Sequence, residues 1–127
     1  MKIILPIYYQ QEFKTKKNKS FLVGLNWYRN AHYMISNKVK HWYHDEVKKQ
    51  ITSEKFGKVR VHYDVYAQRN GTDGPNIRSI LEKFVLDGLV QAGVIEDDKI
   101  GILLGDSSEY YIDGENPRIE INIKEVK

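Results

Sequence analysis

Apolar residues at helical spacing form the clearest pattern in the chain, between Asp73 and Gly93. Their alternating steps of three and one place them on one stripe of an α-helix. Pro75 suits the first turn of such a helix, and Gly93 suits the position just past its end. The pattern predicts an amphipathic helix that packs on a sheet or on another helix, with the stripe Ile77, Ile80, Leu81, Phe84, Val85, Gly88, Leu89 and Ala92.

The other side of this helix carries polar residues at steps of three or four, which place them on one ridge. The ridge consists of Asn76, Ser79, Lys83 and Asp87. Because the apolar stripe must be buried, we expect the ridge to have a fixed position at the surface. We also expect Asp87 to hold the Lys83 ammonium one turn away.

Carboxylates flank the helix at both ends, with Asp73 before it and the Asp97-Asp98 pair after it. A straight path between them spans about 25–35 Å at 1.5 Å per residue. They would meet only if the chain turned back, with a strand after Asp98 running alongside the helix. Brought together with Lys83, they would suit a hard divalent cation and a phosphate. The alternative is that Asp73 only caps the helix and Asp97-Asp98 forms a solvated turn.

Segments rich in alternating or β-branched residues predict strands at residues 2–9, 58–67, 100–104 and 118–123. Pro6 lacks an N–H, so the first strand is expected at a sheet edge or with a bulge. Residues 105–111 are expected to be a loop or strand end, and the last strand to belong to a hairpin. A second amphipathic helix is predicted over residues 35–51, ending near Thr52-Ser53. The order β–α–β–α–β–β indicates a single α+β domain, residues 1–127, with a mixed sheet covered by helices.

Charge is distributed unevenly along the 127 residues. Residues 1–60 hold 13 Lys/Arg and 4 Asp/Glu, whereas residues 61–127 hold 7 and 13, which together give the net +3. A basic half beside an acidic half suits a nucleic-acid-binding protein whose metal ligands are carboxylates. The chain has no cysteine and no apolar run near 20 residues, so we expect a cytoplasmic protein without a disulfide framework or a membrane span.

Two segments before the second helix offer candidate contacts to nucleic acid. Residues 10–20 are predicted to form a mobile loop whose lysines contact phosphates or, alternatively, a solvated linker; they include Lys14, Lys16, Lys17 and Lys19. Residues 21–33 mix aromatic and polar side chains. The Arg29 guanidinium suits phosphate oxygens. Aromatic rings here would stack on unpaired bases, although the core is the favoured place for Trp27.

Five short motifs occur in a fixed order: Asp73-Gly74-Pro75-Asn76, Lys83-Phe84, Asp87-Gly88-Leu89, Ala92-Gly93 and Asp97-Asp98. Their order and spacing resemble the RusA family of Holliday-junction endonucleases, in the branch common in phages and prophages of low-GC bacteria. Residues 24–33 and 115–123 also resemble that branch, so the likeness covers most of the chain.

The resemblance implies a homodimer that cuts branched DNA, such as a four-way junction, with Mg²⁺ or Mn²⁺ as its cofactor. It implies a metal site at Asp73, Asp97 and Asp98, and catalysis by Asp73, Lys83 and Asp98. Asn26 and Asn76 match residues of the family, and Asn76 would fix the turn or contact a phosphate. The other expected DNA contacts are cations: Lys14, Lys16, Lys17, Lys19, Arg29 and Arg69. Pro75 departs from the Asp-x-Asp-Asn pattern of the family, so one carboxylate of the turn is missing. Lys83 also follows Asn76 at a greater distance than the lysine of the family does.

Two alternatives stay open from the sequence. The first is a protein of the same fold that binds branched DNA without cutting it, because it lacks the second carboxylate of the turn. The second is a small globular protein with unrelated chemistry or with a protein partner.

Overall fold

The computed structural model describes residues 1–52 and 54–127. It contains six strands and three helices. They are β1 (Lys2–Pro6), β2 (Tyr8–Gln11), β3 (Lys19–Leu22), α1 (Leu25–Asn30), α2 (Tyr33–Gln50), β4 (Lys58–Ala67), α3 (Gly74–Gln91), β5 (Leu103–Ile112) and β6 (Arg118–Val126). This is the α+β architecture that the sequence predicts, with helices packed against one mixed sheet.

The main sheet has the strand order β1-β6-β4-β5. β6 pairs antiparallel with both β1 and β4, whereas β5 pairs parallel with β4. The predicted terminal hairpin is therefore wrong, because β6 enters the sheet between β1 and β4 instead of pairing with β5. Pro6 ends an edge strand, as its missing N–H predicts.

One face of the sheet is apolar and lies under α2 and α3. The predicted alternation of β4 is confirmed, since Val59, Val61, Tyr63, Val65 and Ala67 are all buried. The apolar stripe of α3 is buried with them, except for the exposed Ala92 at its end. Burial of these two faces against each other supplies the main driving force for the fold.

The ends of α3 follow from two residues. Asp73 is the N-cap, and its Oδ1 accepts a hydrogen bond of 3.2 Å from the Asn76 N–H. Gly93 has a φ of +77°, which a residue without Cβ adopts at no steric cost. Helix α2 ends at Gln50, before the predicted Thr52-Ser53, and Ser53 lies outside the described residues.

Two segments differ from the sequence prediction. Residues 10–20, predicted as a loop, belong to a hairpin in which β2 pairs with β3 and residues 12–18 form the tip. Residues 105–111, predicted as a loop or strand end, are the body of β5, and the strand expected at 100–104 begins only at Leu103. β5 gave no apolar alternation because most of its side chains are exposed at a sheet edge.

In the described residues, no helix combines the length and the apolar character that a membrane crossing requires.

Candidate nucleic-acid interface

The polar ridge of α3 faces helix α1. The Asn76 Oδ1 accepts a hydrogen bond of 3.0 Å from the backbone N–H of Asn26. The contact is close, because a Cβ added at Gly24 would lie 2.4 Å from Asn76 Nδ2. The N-terminus of α1 is thereby fixed to the first turn of α3, and the structure brings together two residues that the resemblance singles out.

Lys83 lies two turns further along the same ridge. Its ammonium donates a hydrogen bond of 3.3 Å to the Tyr28 hydroxyl and lies 5.1 Å from the centre of that ring. The predicted pairing of Lys83 with Asp87 is wrong, because among the described residues the Lys83 ammonium donates to the Tyr28 hydroxyl. Asp87 instead lies near the buried His44 of α2. Burial lowers the pKa of the His44 imidazole below its ordinary value, and the negative charge of Asp87 opposes that shift.

A chain of aromatic contacts joins the β2–β3 hairpin to this ridge. The Phe21 and Trp27 rings stack with centroids 5.1 Å apart, Trp27 lies 6.4 Å from Tyr28, and Tyr28 lies 6.1 Å from the buried Phe84. Trp27 is partly buried and packs against the core, the place that the sequence favoured for it. These contacts hold the hairpin, α1 and α3 in one continuous surface.

Exposed cations surround this surface. Four are at the tip and start of the second strand of the hairpin, namely Lys14, Lys16, Lys17 and Lys19. Arg29 lies in the last turn of α1 and is exposed. Arg69 lies in the loop between β4 and Asp73, where its carbonyl accepts a hydrogen bond from the Thr72 N–H. Since all six are accessible, they can neutralise phosphates along a nucleic-acid backbone.

Asp73 is exposed at the start of the ridge. Its capping bond uses Oδ1, and no donor in the described chain contacts Oδ2. Asp73 therefore caps α3, as the alternative from the sequence proposed, and its Oδ2 is still available for another ligand. Gly74, the next residue, packs on the ring of Tyr110 of β5, which fixes this end of the helix to the end of β5.

Asp97 and Asp98 lie past the opposite end of α3. The Val94 carbonyl accepts a hydrogen bond from the Phe56 N–H, and the Ile102 carbonyl accepts one from the Val59 N–H, so residues 94–102 run beside the start of β4. Asp73 follows the other end of β4, which is ten residues long. The strand after Asp98 does run back beside α3, but Asp98 precedes it and stays at the far end.

The expectation that these carboxylates meet within one chain is therefore wrong. An 18-residue helix separates them, which is about 27 Å at 1.5 Å per residue. Asp97 instead accepts a hydrogen bond from the backbone N–H of Asp98, which is the solvated turn that the sequence left open. Lys83 is also remote from Asp73, because ten helical residues rise about 15 Å.

A cluster that the sequence analysis missed lies on the sheet side of α3. Arg78 Nη2 contacts Asp106 Oδ1 at 2.7 Å and Glu82 Oε1 at 3.4 Å, and the guanidinium lies over the Tyr63 ring. Burial is the main cause that raises the pKa of Glu82, and Asp106 adds to it, whereas Arg78 opposes it. The i,i+4 spacing of Arg78 and Glu82 was visible in the sequence; the contact with Asp106 depends on the position of β5.

Within one chain, the predicted metal ligands Asp73, Asp97 and Asp98 do not all reach a single Mg²⁺ ion. Asp73 supplies one carboxylate, which is the minimum for an ion that keeps most of its waters. In residues 1–52 and 54–127 no three His, Asp or Glu side chains lie together as a metal-binding group. Asp97 and Asp98 can join Asp73 only from a second copy of the chain.

No model of a known protein family matches the chain, and no curated protein matches it.

Proposed function

We propose that this chain is a Mg²⁺-dependent endodeoxyribonuclease that cuts branched DNA, such as a four-way junction, during recombination and repair. The observation that carries the proposal is the ridge of α3, where an exposed carboxylate at Asp73, an amide at Asn76 and an ammonium at Lys83 share one face. The cations of the hairpin and of α1 flank that face. A carboxylate for a hard cation beside donors for phosphate is the combination that phosphodiester hydrolysis requires.

The roles follow from position. Asp73 would hold Mg²⁺ through its second carboxylate oxygen, and bound Mg²⁺ would supply an activated water and neutralise charge on the phosphate. The Asn76 Oδ1 accepts a hydrogen bond from the Asn26 N–H, and the Asn76 Nδ2 would donate to a phosphate. Lys83, about 15 Å along the helix, would bind a neighbouring phosphate of the same strand rather than the one being cut.

The cationic surface would position the DNA. Lys14, Lys16, Lys17, Lys19, Arg29 and Arg69 would contact phosphates, and each neutralised phosphate makes binding more sensitive to salt. The exposed ring of Tyr33, which lies 4.7 Å from His32, is available to stack on an unpaired base. We place this activity in the cytoplasm of a bacterium, which is the host cytoplasm if a phage encodes the chain.

A second function is favoured by the separation of the carboxylates. If Asp73 acts alone, the chain would bind branched DNA through the same cationic surface without cutting it. Pro75 strengthens this alternative, since it occupies the place of a second carboxylate in the turn.

The two functions are distinguished with a synthetic four-way junction incubated with the protein in Mg²⁺, in Mn²⁺ and in EDTA. Endonuclease activity predicts paired nicks that require the metal and disappear in Asp73→Asn and Asp98→Asn. Asp45→Asn, an exposed carboxylate of α2, is the matched control and should cut normally. Binding without nicks in either metal supports the second function, and no junction affinity at low salt excludes both.

A further inference from the structure

The face of the sheet that α2 and α3 leave open carries a row of three hydrogen-bonded polar side chains. His62 and Asp64 alternate with the buried residues of β4, so they point away from the helices. Ser107 of β5 lies directly across from His62 in the parallel pairing of the two strands. The Ser107 Oγ is 2.6 Å from the His62 Nδ1, and the His62 Nε2 is 2.9 Å from the Asp64 Oδ1. The row therefore runs in the order hydroxyl, imidazole, carboxylate.

The carboxylate at one end of this row decides which nitrogen of the imidazole carries the proton. An ionised carboxylate only accepts hydrogen bonds, so the contact with Asp64 places a proton on the His62 Nε2. The neutral ring then has a lone pair on Nδ1, which accepts a hydrogen bond from the Ser107 hydroxyl. A serine whose proton points at a base, with that base oriented by a third group, is the arrangement of an activated nucleophile.

The two ends of the row differ in their exposure to solvent. The Asp64 side chain is 18% exposed and the His62 side chain is 32% exposed, whereas Ser107 belongs to the exposed residues of β5. Partial burial strengthens the hydrogen bond between the imidazole and the carboxylate, because water screens it less. The base is therefore held in place from the inner end of the row, and the hydroxyl at the outer end is open to an incoming molecule.

A groove of about 350 Å³ lies beside the hydroxyl, and His62, Ser107, Gly105 and Arg60 are among the residues that line it. This volume lies within the range of small-molecule sites. Gly105 precedes Ser107 by two residues on the same face of β5, and a Cβ at Gly105 would lie 2.5 Å from the Arg60 Nη1. The missing side chain thus gives the guanidinium its place next to Ser107. Among the described residues, Arg60 forms no salt bridge, so its charge is available to a ligand.

From this row and groove we infer that the open face of the sheet hydrolyses small carboxylic esters, independently of the proposed nuclease. The Ser107 Oγ attacks the carbonyl carbon of the ester while its proton passes to the His62 Nδ1. The Arg60 guanidinium stabilises the negative charge that develops on the carbonyl oxygen. The alcohol then leaves with the proton from His62, and the acyl group stays on Ser107. Water attacks this acyl group, gives its proton to His62, and releases the acid as Ser107 regains its hydroxyl.

The nucleophile is tested by treating the full chain with a fluorophosphonate, from which an activated serine oxygen displaces fluoride as it bonds to phosphorus. Peptide mass spectrometry should find the phosphonyl group on Ser107 of the wild type. His62→Gln should slow this labelling by about 100-fold, because the general base is lost. Ser108→Ala is the matched control and should be labelled at the wild-type rate, since Ser108 lies on the other face of β5. A wild type without label on Ser107, or equal labelling rates for wild type and His62→Gln, overturns the inference.

Asp64 is a positioning residue, and steady-state kinetics with p-nitrophenyl acetate separate this role from a structural one. Asp64→Asn can donate an amide N–H to Nε2, which moves the imidazole proton to Nδ1 and removes the acceptor for Ser107. Its kcat should fall about 100-fold while KM changes little. Glu109→Gln, across from Asp64 on the same face, is the matched control and should keep the wild-type kcat. Circular dichroism checks that the variants fold. An unchanged kcat for Asp64→Asn, or turnover by Ser107→Ala that equals wild type, overturns the inference.

Discussion

Asn76 and Asn26 are fifty residues apart in the chain and are joined by a hydrogen bond of 3.0 Å from the Asn26 N–H to the Asn76 Oδ1. This bond occupies one of the N–H groups at the start of α1 that helical geometry leaves without an intrahelical partner. Asn76 therefore has a structural role, which the sequence left open beside a phosphate contact. The consequence is measurable without any nucleic acid.

Replacing Asn76 by Ala should lower the free energy of unfolding by about 1 kcal/mol, because the Asn26 N–H loses its acceptor. Asn76→Asp keeps an oxygen at that place and should lose much less. Ser79→Ala is a suitable control, since the Ser79 hydroxyl donates to the Pro75 carbonyl of its own helix. Urea unfolding followed by circular dichroism gives the values. Equal losses for the Ala and Asp variants would contradict a role of the acceptor.

Lys83→Met should weaken binding to a four-way junction and lower the slope of log affinity against log salt concentration by about 1, since one phosphate contact is lost. Fluorescence anisotropy at several salt concentrations measures both. Lys124→Met provides the comparison, because Lys124 is exposed on the opposite face of the sheet. Equal effects of the two substitutions would indicate that the ridge of α3 is not the DNA surface.

Asp73 has a structural role that can be separated from chemistry. Asp73→Ala should cost about 1 kcal/mol of stability because the cap of α3 is lost, whereas Asp73→Asn retains a capping oxygen and should be nearly neutral. Thermal or urea unfolding distinguishes the two. If the Asn variant is as stable as wild type but does not cut, its defect lies in the carboxylate charge. If it unfolds as readily as the Ala variant, the cap depends on that charge.

Glu120 should make stability depend on pH. Lys2 Nζ contacts Glu120 Oε1 at 2.6 Å, and Arg118 Nε donates to its Oε2 at 2.7 Å. The pKa of Glu120 is held below its ordinary value of 4.5, chiefly by the hydrogen bond from Lys2. Burial opposes this shift, and the hydrogen bond from Arg118 adds to it. A carboxyl group with a lowered pKa in the folded state stabilises the protein above its unfolded pKa and loses that contribution as pH falls through the folded value.

Glu120→Gln should therefore be less stable than wild type at neutral pH, and the difference should shrink below about pH 4.5. Glu109→Gln is the control on β5, an edge strand of the same sheet, where the Glu109 carboxylate accepts a hydrogen bond from the Tyr111 hydroxyl. Urea unfolding at a series of pH values tests both variants. A difference between Glu120→Gln and wild type that stays constant down to pH 3 would exclude this linkage.

Local patterns predicted those elements whose side chains repeat with the period of their backbone. β4 was predicted with its observed bounds, because Val59, Val61, Tyr63, Val65 and Ala67 alternate along a half-buried strand. The body of α3 was predicted from its stripe, and its ends from Asp73 and Gly93. β5 was predicted only at its start, because an exposed edge strand needs no apolar face and its polar residues resemble a loop.

What the sequence determined by itself is the set of faces: which side of α3 is buried, which side carries Asn76 and Lys83, and where the cations accumulate. Periodicity is a local property, so these assignments need no knowledge of distant contacts. Only the tertiary structure decided where the faces meet. It joined Asn76 to Asn26 and Lys83 to Tyr28, and it placed β5 parallel to β4, so that the rigid length of α3 keeps Asp73 and Asp98 at opposite ends of one chain.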